Sequence, residues 1–272
     1  MAKAKLFQDD LPAEERVFYY ENEESDPIKT KEQEHHEEVG LPDNYKFIHH
    51  NPFYIFAAGA LFRGFYIFGK WYEKHYLEAE FRGLEKIKQA AGKKCIIYAN
   101  HTNPYHDVFG PALVARGRIR TVISPVNLKL PGIGWTLPAI GGLPLGKTKT
   151  EKQAFNDAVD YYISKGQPLV IYPEAHVWPY YTGIRRFPAG DKSFKYAVRN
   201  NVPIFTMTTT YQKSKKGHAR PRMTIYIDGP FYPDPDKSDD ENRKMLSDQA
   251  YEAMKKDSKH SNYDYFKYIK KT

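Results

Sequence analysis

Two short stretches of this 272-residue chain carry side chains that could remove a proton from a hydroxyl group. His101 and Asp107 follow the apolar run 95–98, and Glu174 follows the apolar run 169–172. A histidine that a nearby carboxylate orients is the minimal equipment for general base catalysis. Parallel strands of α/β proteins end at one edge of the sheet, where active sites are usually built, so both stretches are predicted to lie there.

The segments that must position these residues alternate between strand-like and helix-like patterns from about residue 92. The strand-like runs are 94–98, 121–125, 169–172, 204–211 and 223–227. The helix-like stretches are 107–116, 150–164, 191–199 and 241–256. This alternation predicts an α/β domain in which helices flank a mostly parallel sheet.

The stretch 150–164 has the clearest helical periodicity. Its larger apolar residues share one face, as expected for an amphipathic helix: Ala154, Phe155, Ala158, Tyr161 and Tyr162. Thr148 and Thr150 are both candidates for the N-cap of this helix, because a threonine hydroxyl can accept a hydrogen bond from an unpaired amide of the first turn.

The most apolar part of the chain is the aromatic segment 53–72. A spanning helix needs about 20 mostly apolar residues, and here Arg63 interrupts the run. The segment is therefore predicted to be a helix that lies in a membrane interface, with Arg63 and Lys70 reaching lipid phosphates. The alternative is a buried helix of a soluble core.

Charge is unevenly distributed along the chain. Residues 1–45 contain 13 acidic and 5 basic side chains, a net charge of −8, so the remainder carries +16 because the whole chain carries +8. The leader 1–45 is predicted to be a solvated, loosely ordered arm, followed by a membrane-associating helical segment (46–80) and a catalytic domain (81–272). A basic body attracts phosphorylated small molecules, anionic lipid or nucleic acid.

Nucleic acid is not an expected partner, because the basic residues are scattered and no recognised nucleic-acid-binding motif is present. The single cysteine, Cys95, excludes an internal disulfide and is predicted to be a small buried residue. The first residues lack the apolar region of a signal peptide, so the body is expected in the cytosol, at the cytoplasmic face of a membrane.

Two basic, turn-rich segments are candidates for binding a phosphate. Lys147 lies in 141–149, just before a predicted helix, and helix starts bind anions. Arg185 and Arg186 lie in 183–195 and could grip a phosphate with paired hydrogen bonds. Each segment, taken by itself, also fits an ordinary solvated loop.

A metal site is an alternative use of the same acids and histidines. The candidate ligands are His101, His106, Asp107, Glu174 and His176. Zinc sites use such side chains, but this spacing matches no standard zinc signature.

Taken together and in order, four segments resemble the motifs of the lysophospholipid and glycerol-phosphate acyltransferase family, over roughly residues 80–256. The family's Asn-His-x-x-x-x-Asp motif corresponds to Asn100-His101 with Asp107. Its Gly-x-x-Phe-Ile-x-Arg motif corresponds to 141–147, with Lys147 in place of arginine. Its Phe-Pro-Glu-Gly-Thr-Arg motif corresponds to 172–177, and its Val-Pro-Ile strand entry to 202–204.

The chain departs from the family pattern in two places. Five residues rather than four separate His101 from Asp107, so either one residue is inserted or His106 occupies the family's aspartate position. Insertion is preferred, because 107–113 continues like the family's helix. The third motif lacks Gly-Thr-Arg, and after an insertion of 177–183 the role of that arginine would pass to Arg185 or Arg186.

The resemblance implies transfer of a fatty acyl group from acyl-CoA or acyl-carrier protein to a lysophospholipid, most simply 1-acyl-glycerol-3-phosphate, at an anionic membrane. By resemblance, His101 is the general base and Asp107 orients it, without a metal or organic cofactor. The implied substrate-binding residues are Asn100, Lys147, Glu174, Arg185 and Arg186. The alternatives are another lysolipid acceptor, a metal-dependent hydrolase and a non-catalytic binder of anionic lipid.

Overall fold

Nine strands lie within the residues that the computed structural model describes, namely 11–24, 27, 40–89 and 94–271. They are β1 (Val17–Tyr20), β2 (Glu80–Arg82), β3 (Ile96–Ala99), β4 (Arg120–Ile123), β5 (Gly142–Pro144), β6 (Leu169–Ile171), β7 (Ile204–Gln212), β8 (Arg222–Phe231) and β9 (Lys267–Lys270). The α-helices of the same ranges are α1 (Pro52–His75), α2 (Leu84–Gln89), α3 (His106–Ala115), α4 (Leu137–Ile140), α5 (Lys149–Ser164), α6 (Lys195–Asn200) and α7 (Asp239–Ser258). Short 3-10 helices occupy Ala13–Arg16, Pro125–Lys129, Gly134–Thr136 and Lys192–Phe194.

Seven strands form one sheet in the order β2-β8-β7-β3-β6-β4-β5. Neighbouring strands run parallel except β7 and β8, which are antiparallel. The predicted α/β fold with a mostly parallel, helix-flanked sheet is therefore confirmed. Because β3 and β6 are adjacent and parallel, the loops that follow them leave the sheet side by side.

Both faces of the sheet are covered by apolar side chains. Along β3, Ile97 and Ala99 belong to a core cluster that includes Phe62 of α1 and Ala112 of α3. The intervening Ile96 and Tyr98 belong to a second cluster, with side chains of α5, α6 and α7. Successive side chains of a strand point to opposite faces, so a strand covered on both sides becomes a continuous apolar run.

The helix α5 begins and packs as its sequence predicts. Thr148 is the N-cap: its hydroxyl accepts from the Glu151 amide, and the Glu151 carboxylate accepts from the Thr148 amide. Phe155, Ala158 and Tyr162 are buried on the predicted face, which fixes α5 against the sheet.

The predicted helix over 191–199 is shorter than expected. The chain forms a 3-10 turn at Lys192–Phe194, and α6 begins only at Lys195. Phe194 is fully buried, with its ring stacked 4.1 Å from that of Tyr98. This anchoring of the first turn against β3 holds the segment in the tighter geometry.

The expectation of a loosely ordered leader is wrong for its described part. β1 pairs in parallel with β9 near the other end of the chain. Leu11 is buried, and the rings of Phe18 and Phe266 lie 4.9 Å apart. Apolar residues inside an acidic segment therefore give it a docking strand, while residues 1–10 and 28–39 lie outside the described residues.

The aromatic segment is the long helix α1, capped by the Asn51 side chain. It is the one helix among the described residues long and apolar enough to cross a membrane, by length and composition alone. Only 17% of its most apolar 18-residue stretch is buried, which disfavours the alternative of a buried helix in a soluble core. Ala58, Phe62 and Gly69 are buried on its packed side.

Replacing Phe18 with alanine should remove part of the aromatic packing that holds β1 against β9. The half-buried ring also stacks 5.6 Å from Tyr268, and we expect a loss of about 2 kcal/mol in the free energy of unfolding. Tyr19→Ala is the matched control, since Tyr19 is 59% exposed and its loss should cost less than about 0.5 kcal/mol. Equal costs in urea unfolding would contradict this account.

Candidate active site

A buried carboxylate joins the two strand-end loops. Glu174 is fully buried; its Oε2 accepts the His101 amide at 2.9 Å and its Oε1 accepts the Arg185 amide at 2.7 Å. Burial raises the pKa of Glu174, while Arg185 and the two amides oppose that rise. The Glu174 carboxylate is enclosed on all sides, so the direct contact with substrate that the resemblance implied is not supported. Glu174 instead positions the backbone of His101.

His101 and Asp107 form the predicted pair. Nδ1 of His101 lies 2.7 Å from Oδ2 of Asp107, and the imidazole is 21% exposed whereas Asp107 is 4% exposed. Asp107 lies in the first turn of α3, where unpaired amides and the helix dipole favour a negative charge. Since Nδ1–H is the donor to Asp107, Nε2 is the nitrogen left to accept a proton.

Tyr172 supports this pair in a way that the sequence pattern did not predict. Its ring stacks on the imidazole of His101 at 4.5 Å, and its hydroxyl donates to the Asp107 carbonyl at 2.6 Å. Burial, followed by the negative charge of Asp107, raises the pKa of Tyr172 well above its usual value, so the phenol stays neutral. The only sequence signal was tyrosine at the position where the resembling family has phenylalanine.

The neighbouring His106 has a different partner, which removes the ambiguity of the first motif. Its Nδ1 lies 2.8 Å from Oε1 of Glu73, near the end of α1, and both side chains are buried. Burial disfavours charge on His106, but the negative Glu73 outweighs it and raises the His106 pKa. Asp107, and not His106, therefore faces His101, as the insertion hypothesis predicted.

Asn100 is a structural tie rather than a substrate ligand. Its side-chain amide donates to the Thr209 carbonyl at 3.0 Å and accepts from the Thr209 amide at 2.8 Å. The residue is buried, so its implied place among the substrate-binding residues is not supported. Its effect is to lock the end of β3 to β7.

Arg185 is also buried, contrary to the expectation that it grips a phosphate. Its guanidinium donates to the backbone carbonyls of Glu23 and His176 and lies 4.9 Å from the Trp178 ring. Carbonyl groups and an aromatic face satisfy a cation without presenting it to a ligand. Arg185 thereby holds the leader and the loop after β6 together.

The inserted loop 177–183 packs against the histidine loop. The amide of Trp178 donates to the His101 carbonyl at 3.0 Å, and the amide of Tyr180 donates to the Thr102 carbonyl at 2.9 Å. The hydroxyl of Thr102 lies 2.6 Å from that of Tyr211 on β7. These bonds make the two loops one unit.

The remaining cationic candidates are exposed. Lys147 follows β5, at the same edge of the sheet as His101, and Arg186 follows the buried Arg185. Three strand spacings separate β3 from β5, or roughly 14 Å. Within the described ranges, no group of three or more histidine, cysteine, aspartate or glutamate side chains is placed to hold a metal ion.

The Glu73–His106 pair predicts a coupled stability cycle. Replacing either residue with leucine leaves the other buried and unpaired, which should cost about 3 kcal/mol of unfolding free energy. The double variant should cost clearly less than the sum of the two. Additive losses in denaturant unfolding would contradict the pairing.

The same pair predicts a pH dependence. Burial raises the Glu73 pKa, and Glu73 raises that of His106, so both groups bind protons more tightly in the folded chain. Their stabilising contribution is full below the unfolded pKa values, about 4.3 and 6.5, and is lost as pH rises through the folded ones. The double leucine variant should lack this decline, and an unchanged pH profile would contradict it.

The chain is similar to known acyltransferases in sequence pattern and in fold. An acyltransferase family model matches residues 78–210. A comparison with curated proteins gives no significant match. Among solved structures, the chain is similar to the crystal structure of the 1-acyl-sn-glycerophosphate (LPA) acyltransferase PlsC from Thermotoga maritima, with a TM-score of 0.54 and 17% identity.

That structural match covers 80% of this chain and 86% of the bacterial one. At this identity the likeness establishes a shared fold. Residues 78–210 are the part of the chain that is similar to the acyltransferase family.

Proposed function

We propose that the protein transfers a fatty acyl group from an acyl thioester to the free hydroxyl of a lysophospholipid, with 1-acyl-glycerol-3-phosphate as acceptor and phosphatidic acid as product. The observation that carries this proposal is the His101–Asp107 pair, 2.7 Å apart and open on the imidazole side, within the residues that match an acyltransferase family model. The bacterial protein with the similar fold is an LPA acyltransferase, which supports the acceptor class.

In the proposed reaction, Nε2 of His101 accepts the hydroxyl proton as the acceptor oxygen attacks the thioester carbonyl. Asp107 stabilises the imidazolium that forms, because its carboxylate accepts the Nδ1 hydrogen bond. The new C–O bond replaces the C–S bond, and the departing thiolate receives the proton from His101. No acyl group is attached to the protein, and no metal or organic cofactor takes part.

The buried residues set the geometry of this base. Glu174 holds the His101 amide, and Tyr172 covers one face of the imidazole. A base that is held in one rotamer and tautomer loses less free energy to reorganisation in the transition state. The acyl donor, acyl-CoA or acyl-carrier protein, then needs only to bring its carbonyl to the acceptor hydroxyl.

The phosphate of the acceptor is assigned to Lys147 and Arg186. Both side chains are exposed, whereas Arg185 is buried against backbone carbonyls. The free hydroxyl and the phosphate of this acceptor lie on neighbouring glycerol carbons, so the long side chains of Lys147 and Arg186 have to extend toward His101 across part of the roughly 14 Å between the ends of β3 and β5. Charge-assisted hydrogen bonds from these cations would orient the acceptor.

The proposed working position is the surface of an anionic membrane, on its cytoplasmic side. Large apolar side chains on α1 face solvent, including Phe53 (83% exposed) and Phe56 (79% exposed). Ile133 and Trp135, in the segment before α4, are exposed as well. A helix with such a face lies in the interface, and the basic body adds attraction to anionic lipid.

His101→Ala should reduce the rate of acyl transfer to 1-acyl-glycerol-3-phosphate by about 100- to 10,000-fold, because a positioned general base contributes that much. Asp107→Asn should lose a similar factor in kcat, since an amide favours the wrong tautomer. Mass spectrometry of the product measures both. His260→Ala, on an exposed histidine after α7, is the control; near-wild-type turnover by His101→Ala would refute the assignment.

Replacing both Phe53 and Phe56 with serine should weaken binding to anionic vesicles at least tenfold, because each buried ring is worth about 1.5–3 kcal/mol. Flotation with vesicles measures the binding. Phe62→Ala is the matched control on α1: its ring is 7% exposed, so its loss should lower the melting temperature rather than vesicle affinity. Unchanged vesicle binding by the serine variant would exclude this face.

A further inference from the structure

A basic cavity lies at the opposite edge of the sheet from His101. It has a volume of about 240 Å³, and its lining includes Arg118, Arg120 and Lys165. Arg120 is the first residue of β4, so the cavity is at the amino ends of the parallel strands, whereas His101 follows the carboxyl end of β3. A four-residue strand is about 13 Å long, which separates the two sites.

The charges of this cavity are all of one sign. Among the described residues that line it, three are cationic and none is acidic. The remaining polar groups are a glutamine, a histidine and three tyrosines. Such a set offers hydrogen-bond donors to an anion and no carboxylate to a cation.

Arg120 is the central observation, because it is only 7% exposed and has no counter-ion among the residues that the structure describes. Its Nε donates to Gln167 at 2.9 Å, Nη1 lies 3.4 Å from the Pro138 carbonyl, and the guanidinium lies 3.6 Å from the Tyr162 ring centroid. These neutral groups fix the guanidinium, and no carboxylate of a described residue pairs with it.

Burying a charge without an opposite charge is unfavourable, and an anion in the cavity would relieve that cost. Burial lowers the pKa of Arg120 to about 10, so the side chain remains charged at neutral pH. Burial and then the Arg120 charge lower the pKa of His49 on the cavity wall, a second sign of positive potential there.

We propose that this cavity binds a phosphate group, held by Arg118, Arg120 and Lys165, at a site separate from the catalytic pair. Guanidinium groups match phosphate oxygens with paired hydrogen bonds, and the adjacent lysine adds a point charge. A volume below that of a typical small-molecule site suits a single phosphate rather than a whole cofactor.

The position of the cavity connects it with the proposed membrane face. Tyr54, Ile55 and Ala58, in the first turns of α1, form part of its wall. Glu73, at the other end of α1, contacts the catalytic edge, and fifteen residues of helix separate it from Ala58 by roughly 22 Å. The phosphate can therefore come from a lipid headgroup at the interface or from free phosphate in solution.

The test compares two double variants of the full-length chain. Arg118→Gln/Lys165→Gln removes the two more accessible cations without touching the buried Arg120, while Lys244→Gln/Lys255→Gln removes two exposed lysines from α7 outside the cavity. Calorimetric titration with inorganic phosphate, and binding to phosphatidylcholine vesicles with or without phosphatidate, are measured for both. Thermal unfolding without phosphate checks that each variant is folded.

We expect Arg118→Gln/Lys165→Gln to bind at least one phosphate source about tenfold or more weakly than wild type, with the control unchanged, because charged hydrogen bonds contribute that much. Loss only on phosphatidate vesicles identifies a headgroup, and loss only with inorganic phosphate identifies the free ion. Equal affinities for wild type and the cavity variant in both arms would overturn the proposal. A third double variant, Lys147→Gln/Arg186→Gln, removes the cations of the acceptor site. Loss of phosphate binding in this variant alone would also overturn the proposal, since phosphate then binds only at the acceptor site.

Discussion

The buried carboxylate of Glu174 is the constraint on which the rest of the site depends. One of its oxygens binds the amide of His101 and the other binds the amide of Arg185, so a single side chain sets the spacing of two loops. A buried carboxylate is stable only while it has such donors, and the loops keep their conformation only while it is present. Three contacts of His101 depend on this spacing: the stacked ring of Tyr172, the Asp107 carboxylate and the amide of Trp178.

The sequence predicted the His101–Asp107 pair but not the buried polar contacts around it. The pairing of His101 with Asp107 was predictable, because both residues closely follow β3 and a helix start favours an acid. The roles of Glu174, Asn100 and Arg185 were not predictable, since a sequence does not reveal which polar side chains are used up by backbone groups. Glu73 and Arg120 were missed for a related reason: their partners are distant in sequence, and only burial makes them significant.

The strands and helices also differ in how well the sequence predicts them. Continuous apolar runs predicted β3 and β6, a strand-like run rich in β-branched residues predicted β7, and periodicity predicted α5, because local pattern and tertiary burial agree there. The three-residue strands β2 and β5 and the four-residue helix α4 carry too few residues for any period to be visible. β1 was hidden by the acidic composition around it: its pairing with β9 depends on residues about 250 positions away.

That pairing has a consequence for the covalent continuity of the chain. Residues 11–24 are held to the body by the β1–β9 ladder, by the buried Leu11, and by the Glu23 carbonyl that Arg185 donates to. None of these contacts requires the peptide bonds of 25–39. The leader strand and the body are thus connected like the two pieces of a split protein, and we expect a chain nicked between them to stay together noncovalently until it is denatured.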